Sequence, residues 1–190
     1  MGCDIHIQIE RRVNGEWQTV EWVDPFKREY YADKIKGGEL DMPEDFDNRN
    51  YDLFGVLADV RNGTWGAPNQ PIAQPRGLPD DMVNRAKHDA EDGYWLGDHS
   101  FSWLTLSELQ AYPWDAPNHK RGWVSHDEAK KFRADGIPPT SYSAAGSHGE
   151  YIEWTETIRK AVGEWPDRIL PILAMLGEPD DVRLVFGFDN

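Results

Sequence analysis

The sequence predicts an α+β fold, in which a small, mostly antiparallel sheet is covered by several helices. The sheet is an N-terminal hairpin joined by a C-terminal strand. Three observations predict it. Residues 3–12 alternate with period two, with Cys3, Ile5, Ile7 and Ile9 on one face and Asp4, His6, Gln8 and Glu10 on the other. Asn14-Gly15 then supplies a hairpin turn, because both residues tolerate the left-handed backbone a tight turn demands. The chain closes on a second alternating run, residues 181–189, with Val182, Leu184, Phe186 and Phe188 on one side. Strands at both ends with helical patterns between them give the α+β class.

The elements follow in order. Residues 16–23 read as the returning strand, with Trp17, Thr19, Glu21 and Val23 on one face, and Asp24-Pro25 ends it. Residues 27–49 are polar and unpatterned, a loop or excursion. Leu53, Val56, Leu57 and Val60 recur at helical spacing, so residues 50–61 read as a buried helix. Asn50 or Asp52 caps its start, and Asn62-Gly63 supplies the stop. Gly55 inside it costs about 1 kcal/mol against Ala. Residues 63–79 hold Pro68, Pro71, Pro75 and Pro79 with Gly63, Gly66 and Gly77, a long loop of the kind that forms lids, binding arms or disordered segments. A helix follows over 80–90. Capping boxes at Thr105/Glu108, Ser125/Glu128 and Ser147/Glu150 start helices over 106–112, 126–134 and 148–163. The last of these carries Tyr151, Trp154, Ile158 and Val162 in one stripe. A further helix over 167–175 is bent at Pro171 and stops at Gly177. No repeat or linker divides the chain, so residues 1–190 read as one domain.

Composition narrows the function. The formal net charge is -14, which argues against nonspecific nucleic-acid binding and against anionic membranes. No apolar run is long enough to cross a bilayer, and the N-terminus lacks the basic-then-apolar pattern of a secretory signal. A lone cysteine fits a reducing cytoplasm. Nine Trp, seven Tyr and seven Phe supply either a Trp-rich core or a surface on which a base or sugar stacks.

Two constellations carry chemistry. Asp4 and His6 lie about 6.6 Å apart on one strand face, within reach of one ligand or metal ion. Antiparallel pairing of the last strand with the first brings Asp189 and Asn190 beside them. With His99, from Asp98-His99-Ser100, they form the donor set Asp4, His6, His99 and Asp189, suited to a divalent metal ion. Cys3 faces the other way and belongs to the core. The second constellation is Arg49-Asn50-Tyr51 at the helix start, where free amides and a guanidinium bind anions. Arg61, Asn62, Trp65 and Trp103 complete that candidate ligand set. Ordinary capping and salt bridging are the competing account of the same residues. Walker, dinucleotide-glycine, nucleophile-elbow, paired-cysteine and His-Glu-x-x-His motifs are all missing.

Gly2-Cys3-Asp4-Ile5-His6, Asn50-Tyr51-Asp52-Leu53-Phe54 running to Val60-Arg61-Asn62, and His99-Ser100-Phe101-Ser102-Trp103-Leu104 together resemble a family of small proteins from tailed phages and their bacterial hosts. The closing residues 182–190 fit the same pattern. The resemblance implies a phage accessory protein working in host cytoplasm, of a kind that often counters host defences, sometimes by sequestering nucleotide signals. Three functions compete: a protein binding a small phosphorylated or nucleotide-like ligand, a metal-dependent phosphoesterase-like hydrolase, and an acidic inhibitor of a host nucleic-acid-binding enzyme. The first is favoured, and a homo-oligomer is compatible with it.

Overall fold

Strand β1 (Asp4–Val13) turns through Asn14 and Gly15 into β2 (Glu16–Val20), and both turn residues have positive φ, 52° and 87°. Gly15 meets nothing where a Cβ would stand, so backbone conformation alone selects it. The computed structural model describes residues 2–23, 39–88, 96–146 and 148–190. Residues 27–38 of the excursion expected over 27–49 fall outside them, as do Asp24-Pro25, the end of the helix expected over 80–90, and Ser147.

The closing strand β8 (Val182–Asp189) lies between β1 and β5 (His99–Thr105), giving an antiparallel sheet of order β2-β1-β8-β5. Asp4 pairs with Asp189, as antiparallel closure of the two chain ends requires. A two-stranded parallel pair, β3 (Trp22–Val23) with β4 (Leu40–Asp41), continues the hairpin. One sheet face carries Cys3, Ile5, Ile7 and Ile9 with Leu184, Phe186 and Phe188, all 6% exposed or less. Helix α1 (Tyr51–Ala58) packs there, with Phe54 edge-on to Phe188 at 5.1 Å. The helix stops at Ala58, earlier than expected, because Asp59 takes the left-handed capping position at φ 61°.

The other face is polar, and buried around Gln8, Glu10 and Arg183. Arg183 donates from Nε to Glu10 Oε2 at 2.7 Å, with side chains 3% and 0% exposed. Residues 76–84 strap across them: the amide of Val83 donates to Glu10 Oε1 at 2.8 Å, and Arg183 Nη1 donates to Asp81 Oδ1 at 2.7 Å. Arg183 sits 3.9 Å above the Trp17 ring and 6.0 Å from Trp103, while Arg12 lies 4.4 Å from Trp17 and Arg76 5.0 Å from Trp103. The result is a ladder of alternating guanidinium and indole across the sheet. Short helix α2 (Arg85–His88) follows the strap.

After β5 come α3 (Leu106–Ala111), capped by Thr105 and Glu108 as expected, and β6 (Pro117–Val124). Helix α4 (His126–Asp135) starts at Ser125, also as expected. Residues 150–157, expected inside a helix, form strand β7 (Glu150–Thr157), paired antiparallel with β6 along its whole length. Ile152 and Trp154 point inward at 8% and 5% exposure, a period of two that the helical stripe had masked. Thr157 then caps α5 (Ile158–Ala161). A wide π-turn, Trp165–Ile169, leads into α6 (Leu170–Ala174), so the expected bend at Pro171 is a change of pitch just before it. A 3₁₀ turn, Pro179–Asp181, delivers the chain to β8. Among the described residues no helix is long and apolar enough to cross a membrane.

Candidate functional site

Near the end of the sheet where Asp4 pairs with Asp189, Arg49, Asn50, Tyr51 and Trp65 line one cavity with Asp52, Tyr142 and Ala161. Its volume is about 280 Å³. Four segments build it: the entry to α1, the turn after α1, the segment before β7, and the end of α5. Trp65 is held by β6, since its carbonyl accepts from the Arg121 amide at 2.7 Å and the Ala67 amide donates to the His119 carbonyl at 3.0 Å. Gly66 between them lies so close to the His119 carbonyl that a Cβ would collide with it. Tyr142 meets Trp65 edge-on at 5.4 Å and Trp154 at 5.0 Å.

Asn50 is the helix cap. Its Oδ1 accepts the amides of Asp52 and Leu53 at 3.0 and 3.1 Å, and its Nδ2 donates to the Ala161 carbonyl at 2.9 Å. The amides expected to receive an anion are therefore already satisfied from within. Arg49 grips Asp4 with Nε and Nη2, and the guanidinium lies against Gly2, where a Cβ would overlap it. Hydrogen bonding from Arg49 holds the Asp4 carboxyl below its ordinary range. Nη1 of Arg49 makes no hydrogen bond among the described residues. Tyr51 accepts the Cys3 amide through its hydroxyl at 3.2 Å. Arg61 lies 6.0 Å from the Tyr51 ring and donates to Asn190 Oδ1 at 2.7 Å. It thus braces the chain ends behind the pocket rather than lining it. Cys3 is buried as expected, and burial pushes its thiol up.

Asp52, foreseen only as a cap, has the more consequential place. Its Oδ2 pairs with Lys120 Nζ and its Oδ1 accepts from Asn118 Nδ2 at 3.2 Å. The Lys120 side chain is 1% exposed, while that of Asp52 keeps 14%. Burial alone would lower the ammonium, but the charge and hydrogen bond of Asp52, with help from Tyr142, raise it. Lys120 and Asn118 escape sequence reading because β6 has no apolar alternation, and Tyr142 because it lies outside any helix or strand. Its inward positions are Asn118, Lys120, Gly122 and Val124.

The remaining expected residues do not join this pocket. Asn62 knots its own loop: Nδ2 donates to Asp59 and to the Asn69 carbonyl, and Oδ1 accepts the Asn69 amide. Trp103 stands in the guanidinium ladder. The four metal candidates are split by strand phase. His6 Nε2 lies 2.9 Å from Asp189 Oδ2, and the Asp4 amide donates to Asp189 Oδ1 at 3.3 Å. His99, however, pairs with Phe188, on the opposite face from Asp4, His6 and Asp189, and stacks on its ring at 6.1 Å. Asp4 spends both carboxylate oxygens on Arg49. Among the described residues no group of three or more His, Cys, Asp or Glu is placed to hold a metal ion.

No family model, no curated protein and no solved structure matches the chain.

Proposed function

We propose that the chain binds a small nucleotide-like ligand in the Trp65–Tyr142 pocket. The observation that carries this reading is the juxtaposition in one cavity of aromatic rings with Arg49, whose Nη1 makes no hydrogen bond among the described residues. Aromatic faces take a base by stacking, with about 1–3 kcal/mol from each stacked base. Arg49 Nη1 is left to take a phosphate oxygen at the half-exposed rim. At about 280 Å³ the cavity is at the lower end of small-molecule sites. That size favours one base with its sugar over a dinucleotide. Resemblance to small phage proteins supports placing this binding in host cytoplasm, where holding a nucleotide would withdraw it from host signalling.

Calorimetry of the full chain against nucleoside monophosphates, cyclic mononucleotides, ADP-ribose and cyclic dinucleotides tests the reading. Mononucleotides should bind, and Trp65→Ala should abolish the heat without unfolding the protein. A folded protein that binds none of them overturns it.

A further inference from the structure

The pocket has one wall that stacking does not explain. Asp52 is a carboxylate set among aromatic rings, and its charge is matched by an ammonium that is itself shut away from water. A protein that needed only a hydrophobic slot would not retain a buried ion pair beside it, because desolvating two charges seldom repays its cost in stability. A carboxylate paired in this way accepts hydrogen bonds and donates none. Each of its oxygens already takes one donor, Lys120 on Oδ2 and Asn118 on Oδ1. Each oxygen retains accepting capacity, so the carboxylate offers two adjacent acceptors.

Resting on the pocket reading above, we infer that Asp52 selects a guanine-type ring, one that presents two neighbouring N–H donors. Guanine shows N1–H and the 2-amino group along one edge and meets both oxygens. Adenine shows one amino group beside a bare ring nitrogen, whose lone pair faces the carboxylate. Uracil and cytosine likewise place an acceptor next to their donor. Lys120 and Asn118 act here as positioning residues. They hold the carboxylate by one bond to each oxygen, and the Tyr142 ring lies 5.4 Å from Lys120 Nζ.

The test is calorimetry of the unmodified full chain with GMP, IMP, 1-methyl-GMP and AMP. IMP lacks the 2-amino donor and 1-methyl-GMP lacks N1–H, so each removes half of the proposed contact without touching the protein. GMP should bind tightest, with about tenfold to a hundredfold weaker binding for AMP and intermediate values for the two half-donors. On the protein side, Asp52→Asn should erase the order of preference. Should that variant fail to fold with Lys120 left unpaired, Asp52→Asn/Lys120→Met removes both charges together. GMP and AMP binding equally, or AMP binding tighter, overturns this inference and leaves the pocket standing. None of the four binding to folded protein overturns this inference, and silence of the wider nucleotide panel as well overturns the pocket reading itself.

Discussion

Arg49 holds Asp4 through both carboxylate oxygens, at 2.8 Å from Nε and 2.7 Å from Nη2, across 45 residues of chain. The contact ties the first strand to the rim of the pocket and leaves the third guanidinium nitrogen, Nη1, against Gly2 with no hydrogen bond among the described residues. Both side chains are about half exposed, 50% and 48%, so solvent screens the pair and its contribution to stability is small.

The pair should show itself by titration. The Asp4 carboxyl is depressed by Arg49, so the stabilisation is complete above the unfolded carboxylate range and is lost as pH falls through the folded value. Arg49→Gln should return Asp4 to its ordinary range in a carbon-detected NMR titration while moving the melting temperature little. The same variant should weaken a nucleoside monophosphate more than its nucleoside, because only the phosphate needs Nη1. Equal losses for both would remove Arg49 from phosphate binding.

Glu150 is a stronger case. Arg133 and His126, both on α4, hydrogen-bond this carboxyl at the start of β7 and bring it down to about 2. Its folded value lies below the unfolded one, so the α4–β7 contact is fully supported above about pH 4.5 and weakens as pH falls toward 2. Arg133→Ala should raise the Glu150 value measurably. An unchanged titration would mean that the exposed pair does not persist in solution.

The predictability of these contacts from sequence differs by element. The opening hairpin and β8 are legible because one apolar face alternates without interruption, and Asp4 opposite Asp189 follows once the two strands pair. β7 is not, since Tyr151, Trp154, Ile158 and Val162 fit a helix as well as Ile152 and Trp154 fit a strand. Pairing with β6, a distant and mostly polar segment, decides between them. The pocket divides in the same way. Arg49, Asn50 and Tyr51 flank a clear helix start, whereas Lys120 and Tyr142 arrive through long-range pairing around β6. Asn62 shows the converse failure: a polar residue after a helix reads as a ligand contact but is consumed by its own loop.

The ladder on the polar sheet face should be costly to break from one side. Glu10 is fully buried and Arg183 nearly so, and the pair also anchors the strap through Val83 and Asp81. Arg183→Met would leave Glu10 as an uncompensated buried charge, at a cost of about 3–5 kcal/mol. Replacing both, Glu10→Gln with Arg183→Met, should recover part of that loss. Denaturant unfolding of the parent and the two variants measures it. A single variant as stable as the parent would mean that water reaches the pair.

Gly55→Ala offers the sharpest conflict between local propensity and packing. Helix propensity alone promises a gain of about 1 kcal/mol from this change in the middle of α1. The structure opposes it. A Cβ at Gly55 would stand 2.7 Å from Asn62 Oδ1 and 3.2 Å from the Asn62 Cα, so the side chain cannot yield without the backbone following. Asn62 is also the knot of the loop that carries Trp65. Displacing it breaks the bonds to Asp59 and Asn69, each worth about 1 kcal/mol. The expected outcome is a net loss of about 1–2 kcal/mol in chemical denaturation, together with weaker ligand binding as Trp65 shifts. Gly55→Ala with Asn62→Gly should regain the helical benefit but not the binding. A single variant more stable than the parent would show that the loop yields freely and that Asn62 does not position Trp65.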